Sequence, residues 1–113
     1  VKLGHHDYAA LPDLYRSHDA FVFPSVSETF GHPMAEAMSS GLPVIVSDTA
    51  VNRELCGDTA LYAAPYSVTD ICDRLHSLNN DEKLRTTLSL NARQRTIKMY
   101  DWQAHINRLL ALF

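Results

Sequence analysis

The sequence predicts an α/β domain built on a parallel sheet, and three observations carry that reading. Two continuous apolar runs, Ala20–Pro24 (AFVFP) and Pro43–Ser47 (PVIVS), are aromatic and β-branched throughout, the composition of strands buried on both faces. Helical spacing of apolar residues fills the stretches between and after them. Gly and Pro punctuate the transitions, with Gly31 and Pro33 before one helical stretch and Gly41 after it. Strands alternating with helices imply right-handed crossovers and therefore a parallel sheet.

Taken in order, Val1–Gly4 reads as a short strand ended by glycine. Asp7 to His18 carries Leu11, Leu14 and Tyr15 at helical spacing, with Pro12 near the start, where a missing N–H does little harm. After the strand Ala20–Pro24 comes a polar loop, Ser25 to His32. A helix then opens at Pro33, bears Met34, Ala35, Ala37 and Met38, and closes on Gly41 as a cap. Beyond Pro43–Ser47, a short helical piece around Asn52 to Cys56 stops at Gly57, and Ala60–Ala64 (ALYAA) is a third, weaker strand. Val68, Ile71, Cys72, Leu75 and Leu78 form an amphipathic stripe. Asp81 suits the N-cap of a further helix. Asp101 suits that of a last one bearing Trp102, Ile106, Leu109, Leu110 and Phe113, a stripe read as core packing.

The 113 residues fit one domain or a piece of a larger one, and 46% hydrophobic with 20% charged residues is ordinary globular usage. A net charge of -3 offers no general attraction to nucleic acid or anionic lipid. The local cluster Arg93, Arg95 and Lys98 is read as a solvated helix face. Cys56 and Cys72 are the only cysteines, expected as reduced thiols in a cytoplasmic protein. No apolar run reaches the roughly 20 residues of a membrane span. His5, His6 and Asp7 are adjacent, and adjacent side chains seldom converge on a metal, so no metal site is assigned.

Ligands of such sheets bind beyond the carboxyl ends of the strands, which directs attention to the segment Pro24–Asp48, PSVSETFGHPMAEAMSSGLPVIVSD. It holds Glu28 in the loop and Glu36 in the first turns of the helix, with seven residues between them. Gly31 stands where the chain turns into the helix and approaches a ligand closely. The freed N–H groups from Gly31 to Ala35, proline excepted, form a partly positive pocket suited to phosphate. Two flanking carboxylates could accept hydrogen bonds from sugar hydroxyls, one from a ribose and one from a transferred hexose. The pattern fits a sugar nucleotide.

The same segment resembles the E-x7-E motif of the family-4 retaining glycosyltransferases of GT-B architecture, the glycosyl transferases group 1. Phe30, Gly31, Pro33, Ala37, Met38, Gly41, Pro43 and Asp48 match between and around the two acids. The resemblance extends through LPDLYRSHDAFVFPS, RELCGDTALY and the Asp101–Trp102 pair to nearly the whole chain. It implies that Glu28 is the catalytic residue, contacting the hydroxyls of the transferred sugar, and that Glu36 bonds the ribose. Phe30, Gly31 and His32 would meet donor sugar and diphosphate through their backbone. Thr29 departs from a frequent glycine and His32 from a frequent aliphatic residue.

The resemblance further implies a Rossmann-like sheet of order 3-2-1-4-5-6, with Val1–Gly4 as strand 3 and the three later segments as strands 4, 5 and 6. Residues 1–113 would then be a partial C-terminal nucleotide-sugar-binding domain, its first strands and the acceptor-binding N-terminal domain lying upstream. The implied activity is transfer of a hexosyl group from a nucleoside-diphosphate sugar to a glycan, lipid or small acceptor, with retention. No cofactor and no metal are expected, since there is no Asp-x-Asp motif and the sugar nucleotide is a co-substrate. Cytoplasmic location, peripheral membrane contact of the full enzyme and inactivity of the isolated piece complete the expectation. The alternatives are a non-catalytic sugar-nucleotide-binding module and a flavodoxin-like regulatory α/β domain, for which Asp48 is the sole candidate phosphoacceptor.

Overall fold

A computed structural model describes residues 4–112. Its sheet has three parallel strands, β1 (Phe21–Phe23), β2 (Val44–Ser47) and β3 (Ala60–Ala63), in the order β1-β2-β3. Phe21 pairs with Val44 and Val44 with Ala60, so the registers of both ladders meet at the central strand. All four residues of β2 are buried, as expected of a strand covered on both faces. The Val1–Gly4 strand expected from the sequence falls, apart from Gly4, outside the described residues.

The helices are α1 (Leu11–Arg16), α2 (His32–Ser39), α3 (Ala50–Cys56), α4 (Val68–Asn80), α5 (Glu82–Met99) and α6 (Trp102–Leu110). The stretch read as one helix from Asp7 begins instead as a 3-10 turn, Tyr8–Ala10, and becomes α-helical at Leu11 with Pro12 in its first turn. Caps follow the side-chain chemistry. Thr49, Ser67, Asp81 and Asp101 each accept a backbone N–H in the first turn of the helix they precede. Gly41, at φ 82°, closes α2: its N–H bonds Met38 O while Leu42 N–H reaches back to Ala37 O, the paired bonds of a Schellman motif.

Strand alternation sends side chains to two cores. Val44, Val46 and Ala60 join Met34, Ala37 and Met38 of α2, Leu55 and Cys56 of α3 and Ala92 of α5, with Phe21, Phe23 and Tyr62 against them. Ile45 faces the other way and meets Leu78 of α4 and Leu88 of α5. Residues Leu84, Leu88, Ala92 and Thr96 run at four-residue intervals along α5, so one helix touches both cores.

That helix corrects the reading of the basic cluster as a solvated face. Arg93 donates to Ser39 O, and Arg95 donates from Nε to Leu55 O (2.8 Å) and from Nη2 to Glu54 O (2.9 Å). Ser89 also donates to Gly41 O. Carbonyls at helix carboxyl ends lack intrahelical partners, so α5 satisfies those of α2 and α3 with cations that also suit the helix dipole.

The last helix departs from expectation as well. No described residue of α6 is buried, and Leu109 and Leu110 are 44% and 66% exposed. Both cores are already filled from α2 to α5, which leaves this stripe nothing inside to pack on. The side chain of Trp102 and the whole of Phe113 lie outside the described residues. Among the described residues no helix is long and apolar enough to cross a membrane.

Candidate functional site

The loop from Pro24 to Gly31 leaves the carboxyl end of β1 and delivers the chain to the start of α2, where sequence reasoning put the site. Gly31 is the N-cap of α2 and adopts φ 76°, ψ 54°, a left-handed conformation that side chains with a Cβ disfavour. It is also tightly enclosed, since a Cβ there would lie 2.2 Å from the Cε of Met34. Met34 is fully buried, so loop, helix start and core are locked together at this one residue.

The turn uses some of the helix-end donors. Met34 and Ala35 N–H groups both bond to Gly31 O, at 3.0 and 3.4 Å, and Pro33 has none. The donor pocket expected from Gly31 to Ala35 therefore narrows to the N–H groups of Gly31 and His32. A first-turn N–H bonded back to the N-cap carbonyl is no longer an open anion donor.

Glu36 is half-buried and is the fifth residue of α2, past the first turn where the helix dipole acts strongly. The dipole thus does little to explain an acid here. Its Oε2 accepts a 2.9 Å hydrogen bond from the Tyr15 hydroxyl. Glu36 and His32 line a cleft of about 470 Å3 with Tyr8, Ala35, Tyr100 and Asp101 among its other walls. Phe30 is turned toward a neighbouring cleft of about 380 Å3, shared with Thr29, Glu54 and Tyr100. Its ring packs against His32 (4.8 Å between centroids) and edge-on against Tyr100 (5.4 Å). Tyr100 thereby stands between the two clefts.

Glu28 is half-buried in the loop, and its Oε1 accepts a 3.0 Å bond from Ser25 Oγ. It lines neither of these clefts. The structure therefore brings Glu36 and His32 to one opening, Phe30 to the next, and leaves Glu28 tethered within its own loop. Tyr15 and Tyr100 were not singled out from sequence. The available signal for Tyr15 was a phenol in an otherwise aliphatic stripe, because a partly buried hydroxyl needs a partner.

Electrostatics set the neighbours of the site. Burial first, then the bond to Glu36, raise the Tyr15 phenol from 10.0 to about 12, so it remains a donor at neutral pH. Burial likewise raises Cys56 to about 11, which leaves it a thiol, and both cysteines are free. At the end of β2, both carboxylate oxygens of Asp48 are engaged by Arg53, which holds its pKa below the usual range, and Arg53 lies 4.3 Å over the Tyr62 ring. Asp48 is thus held as one half of a partly exposed ion pair at the carboxyl end of β2. Among the described residues no three His, Cys, Asp or Glu side chains are grouped to hold a metal, His5, His6 and Asp7 included.

Comparison with known proteins assigns this arrangement a lineage. The profile described as "Glycosyl transferases group 1" matches residues 2–95. A sulfoquinovosyl transferase of Arabidopsis thaliana is 36% identical over 104 residues, covering 88% of this chain and 20% of its own. O-antigen chain mannosyltransferase B of Escherichia coli is 34% identical over 101 residues, covering 89% and 26%. This chain therefore spans only about a fifth to a quarter of these curated relatives. Sucrose-phosphate synthase from Thermosynechococcus elongatus superposes with a TM-score of 0.87 at 27% identity, over 97% of this chain and 28% of that one. The C-terminal domain of a group 1 glycosyl transferase from Francisella tularensis does so with a TM-score of 0.77 at 31% identity, over 87% and 51%. The three parallel strands and their flanking helices thus form a Rossmann-like portion of a GT-B fold, and the chain belongs to the group 1 glycosyltransferases.

Proposed function

We propose that these residues form the donor-binding part of a family-4 glycosyltransferase that moves a hexosyl group from a nucleoside-diphosphate sugar to a glycan, lipid or small acceptor with retention. The observation that carries this reading is Glu36, a half-buried carboxylate facing a cleft of about 470 Å3 beside the left-handed Gly31 turn. An acid in that place accepts hydrogen bonds from ribose hydroxyls. The Gly31 and His32 N–H groups receive the diphosphate at the amino end of α2. Glu28 contacts the hydroxyls of the transferred sugar and serves as the catalytic residue. Phe30 contributes its backbone beside that sugar.

Leaving-group charge is met without metal by helix N–H groups and by basic side chains supplied from upstream of Val1. The acceptor comes from an N-terminal domain, and the enzyme works in the cytoplasm with peripheral contact at the membrane. Residues 1–113 alone transfer no sugar, because half of the site belongs to that other domain.

The test uses the full-length protein. Glu36→Ala should raise the donor KM with little change in kcat, as loss of a contact made equally in ground and transition states does. Glu28→Ala should act chiefly on kcat, because it orients the reacting sugar. EDTA should leave turnover intact. Equal, small effects of both substitutions, or activity lost to EDTA and restored by Mg2+ or Mn2+, would overturn the proposal.

A further inference from the structure

Glu36 has two sides. One faces the cleft of about 470 Å3, and the other a cavity of about 120 Å3 that it shares with Tyr8, Leu11, Pro12, Tyr15, Ser39 and Ser40. Of these two spaces Tyr15 lines the smaller and does not reach the larger. Its hydroxyl meets Glu36 Oε2 at 2.9 Å from behind, across 21 residues of sequence and from a different helix. The ring beneath that hydroxyl is held edge-on against Phe21 of β1, 5.9 Å between centroids, so sheet packing fixes where the phenol points.

A glutamate carboxylate turns freely about its last torsion, whose preferences are broad. Only a bond to one oxygen decides where the other looks. Among the described residues Oε1 of Glu36 has no protein partner, and an ionised carboxylate can only accept. A phenol held protonated by burial and by this very contact is a constant donor to Oε2. A hydroxyl bonds an ionised carboxylate more strongly than a neutral acceptor.

From this we infer that Tyr15 is a positioning residue of the donor site: its hydroxyl clamps one oxygen of Glu36 and thereby presents the other to a ribose hydroxyl of the bound nucleotide. The inference rests on the ribose role proposed for Glu36. Tyr15 itself touches no substrate. Its contribution is to the affinity and the sugar selectivity of nucleotide binding and not to the chemical step.

The experiment measures calorimetric Kd values on the full-length protein. UDP, GDP and ADP identify the preferred nucleotide, which is then compared with its 2′-deoxy and 3′-deoxy forms. The unsubstituted protein should prefer the ribonucleotide over at least one deoxy form by about tenfold, the scale of one charge-assisted hydrogen bond. Tyr15→Phe keeps the ring on Phe21. It should weaken the ribonucleotide by about threefold to tenfold, leave that deoxy form unchanged, and raise the donor KM at constant kcat. Phe21→Leu removes the ring that aims the phenol but leaves the hydroxyl in place; it should lower the melting temperature and erode the discrimination less than Tyr15→Phe does.

Tyr15→Phe in a Glu36→Gln background should add almost nothing, because two substitutions in one contact are non-additive. Full discrimination in Tyr15→Phe, equal loss for both nucleotides, or additivity with Glu36→Gln would overturn the role of Tyr15. No preference for ribose in the unsubstituted protein would overturn the reading of Glu36 and this inference with it.

Discussion

Replacing Gly31 by alanine tests the turn on which the site depends, and Gly41 supplies the control. Both glycines are left-handed, at φ 76° and 82°, so a Cβ at either meets the same backbone penalty of about 1–2 kcal/mol. Their surroundings differ. At Gly41 the nearest atom to an added Cβ is Ser89 Oγ at 3.5 Å, an ordinary contact. At Gly31 it is Met34 Cε at 2.2 Å, and Met34 is fully buried in the core. The methionine terminus must move inside packed surroundings, an overpacking that adds about 1–3 kcal/mol. Gly41→Ala should therefore destabilise by about 1–2 kcal/mol and Gly31→Ala by about 2–5 kcal/mol, the sum of the two effects. Urea unfolding of the full-length protein followed by circular dichroism reads both, as shifts of midpoint at constant slope. Met34→Ala makes room for the new methyl group, so the pair Gly31→Ala, Met34→Ala should show less than the sum of the single losses. Equal losses at the two glycines, or additivity with Met34→Ala, would refute the idea that the loop is locked to the core at Gly31. Donor binding should weaken in Gly31→Ala and not in Gly41→Ala.

Arg95→Ala should destabilise by about 1 kcal/mol, since it removes two donors from the end of α3 while Leu55 O keeps the Tyr100 hydroxyl and Glu54 O is open to water, and lysine should rescue only part because it lacks the two-pronged guanidinium. The midpoint of urea unfolding checks this; an unchanged midpoint would return Arg95 to a solvated face. Alkali should act through the buried phenols. Tyr15 and Tyr62 are each raised from 10.0 to about 12, so the folded state keeps protons that the unfolded chain releases. Their contribution is complete below about pH 10 and is lost as the pH rises toward about 12. Phenolate absorbance should show a step above the ordinary tyrosine range, and Tyr15→Phe should blunt the alkaline fall in stability. A single titration near the ordinary tyrosine range would contradict it.

What was legible in the sequence follows from what each feature depends on. The strand runs AFVFP, PVIVS and ALYAA matched the three strands to within two residues; PVIVS is buried on both faces as its apolar run suggested, whereas β1 has no fully buried residue and Val22 is 36% exposed, so that run marked the strand and not its burial. Capping residues were equally legible, since Asp81, Asp101 and Gly41 act on backbone groups a few residues away. Long-range roles were not. Arg93 and Arg95 look like a charged helix face until the fold brings the ends of α2 and α3 beneath them, 54 and 40 residues away in sequence. The Leu109–Leu110 stripe has core-like spacing, yet spacing cannot say whether the core already has its walls.

The candidate site divides along the same line. Gly31 and the place of Glu36 on α2 could be read from a contiguous motif, whereas the hydroxyl behind Glu36 comes from a helix on the far side of β1 in the chain. A motif conserves the order of groups along a loop and says nothing of what holds them from behind. That support is contributed by Phe21, whose own position was among the plainest readings in the sequence. The strand that identifies the fold is thus also the strand that aims the phenol. A change at Phe21 is expected to reach the fold before it reaches the nucleotide, while loss of the Tyr15 hydroxyl does the reverse.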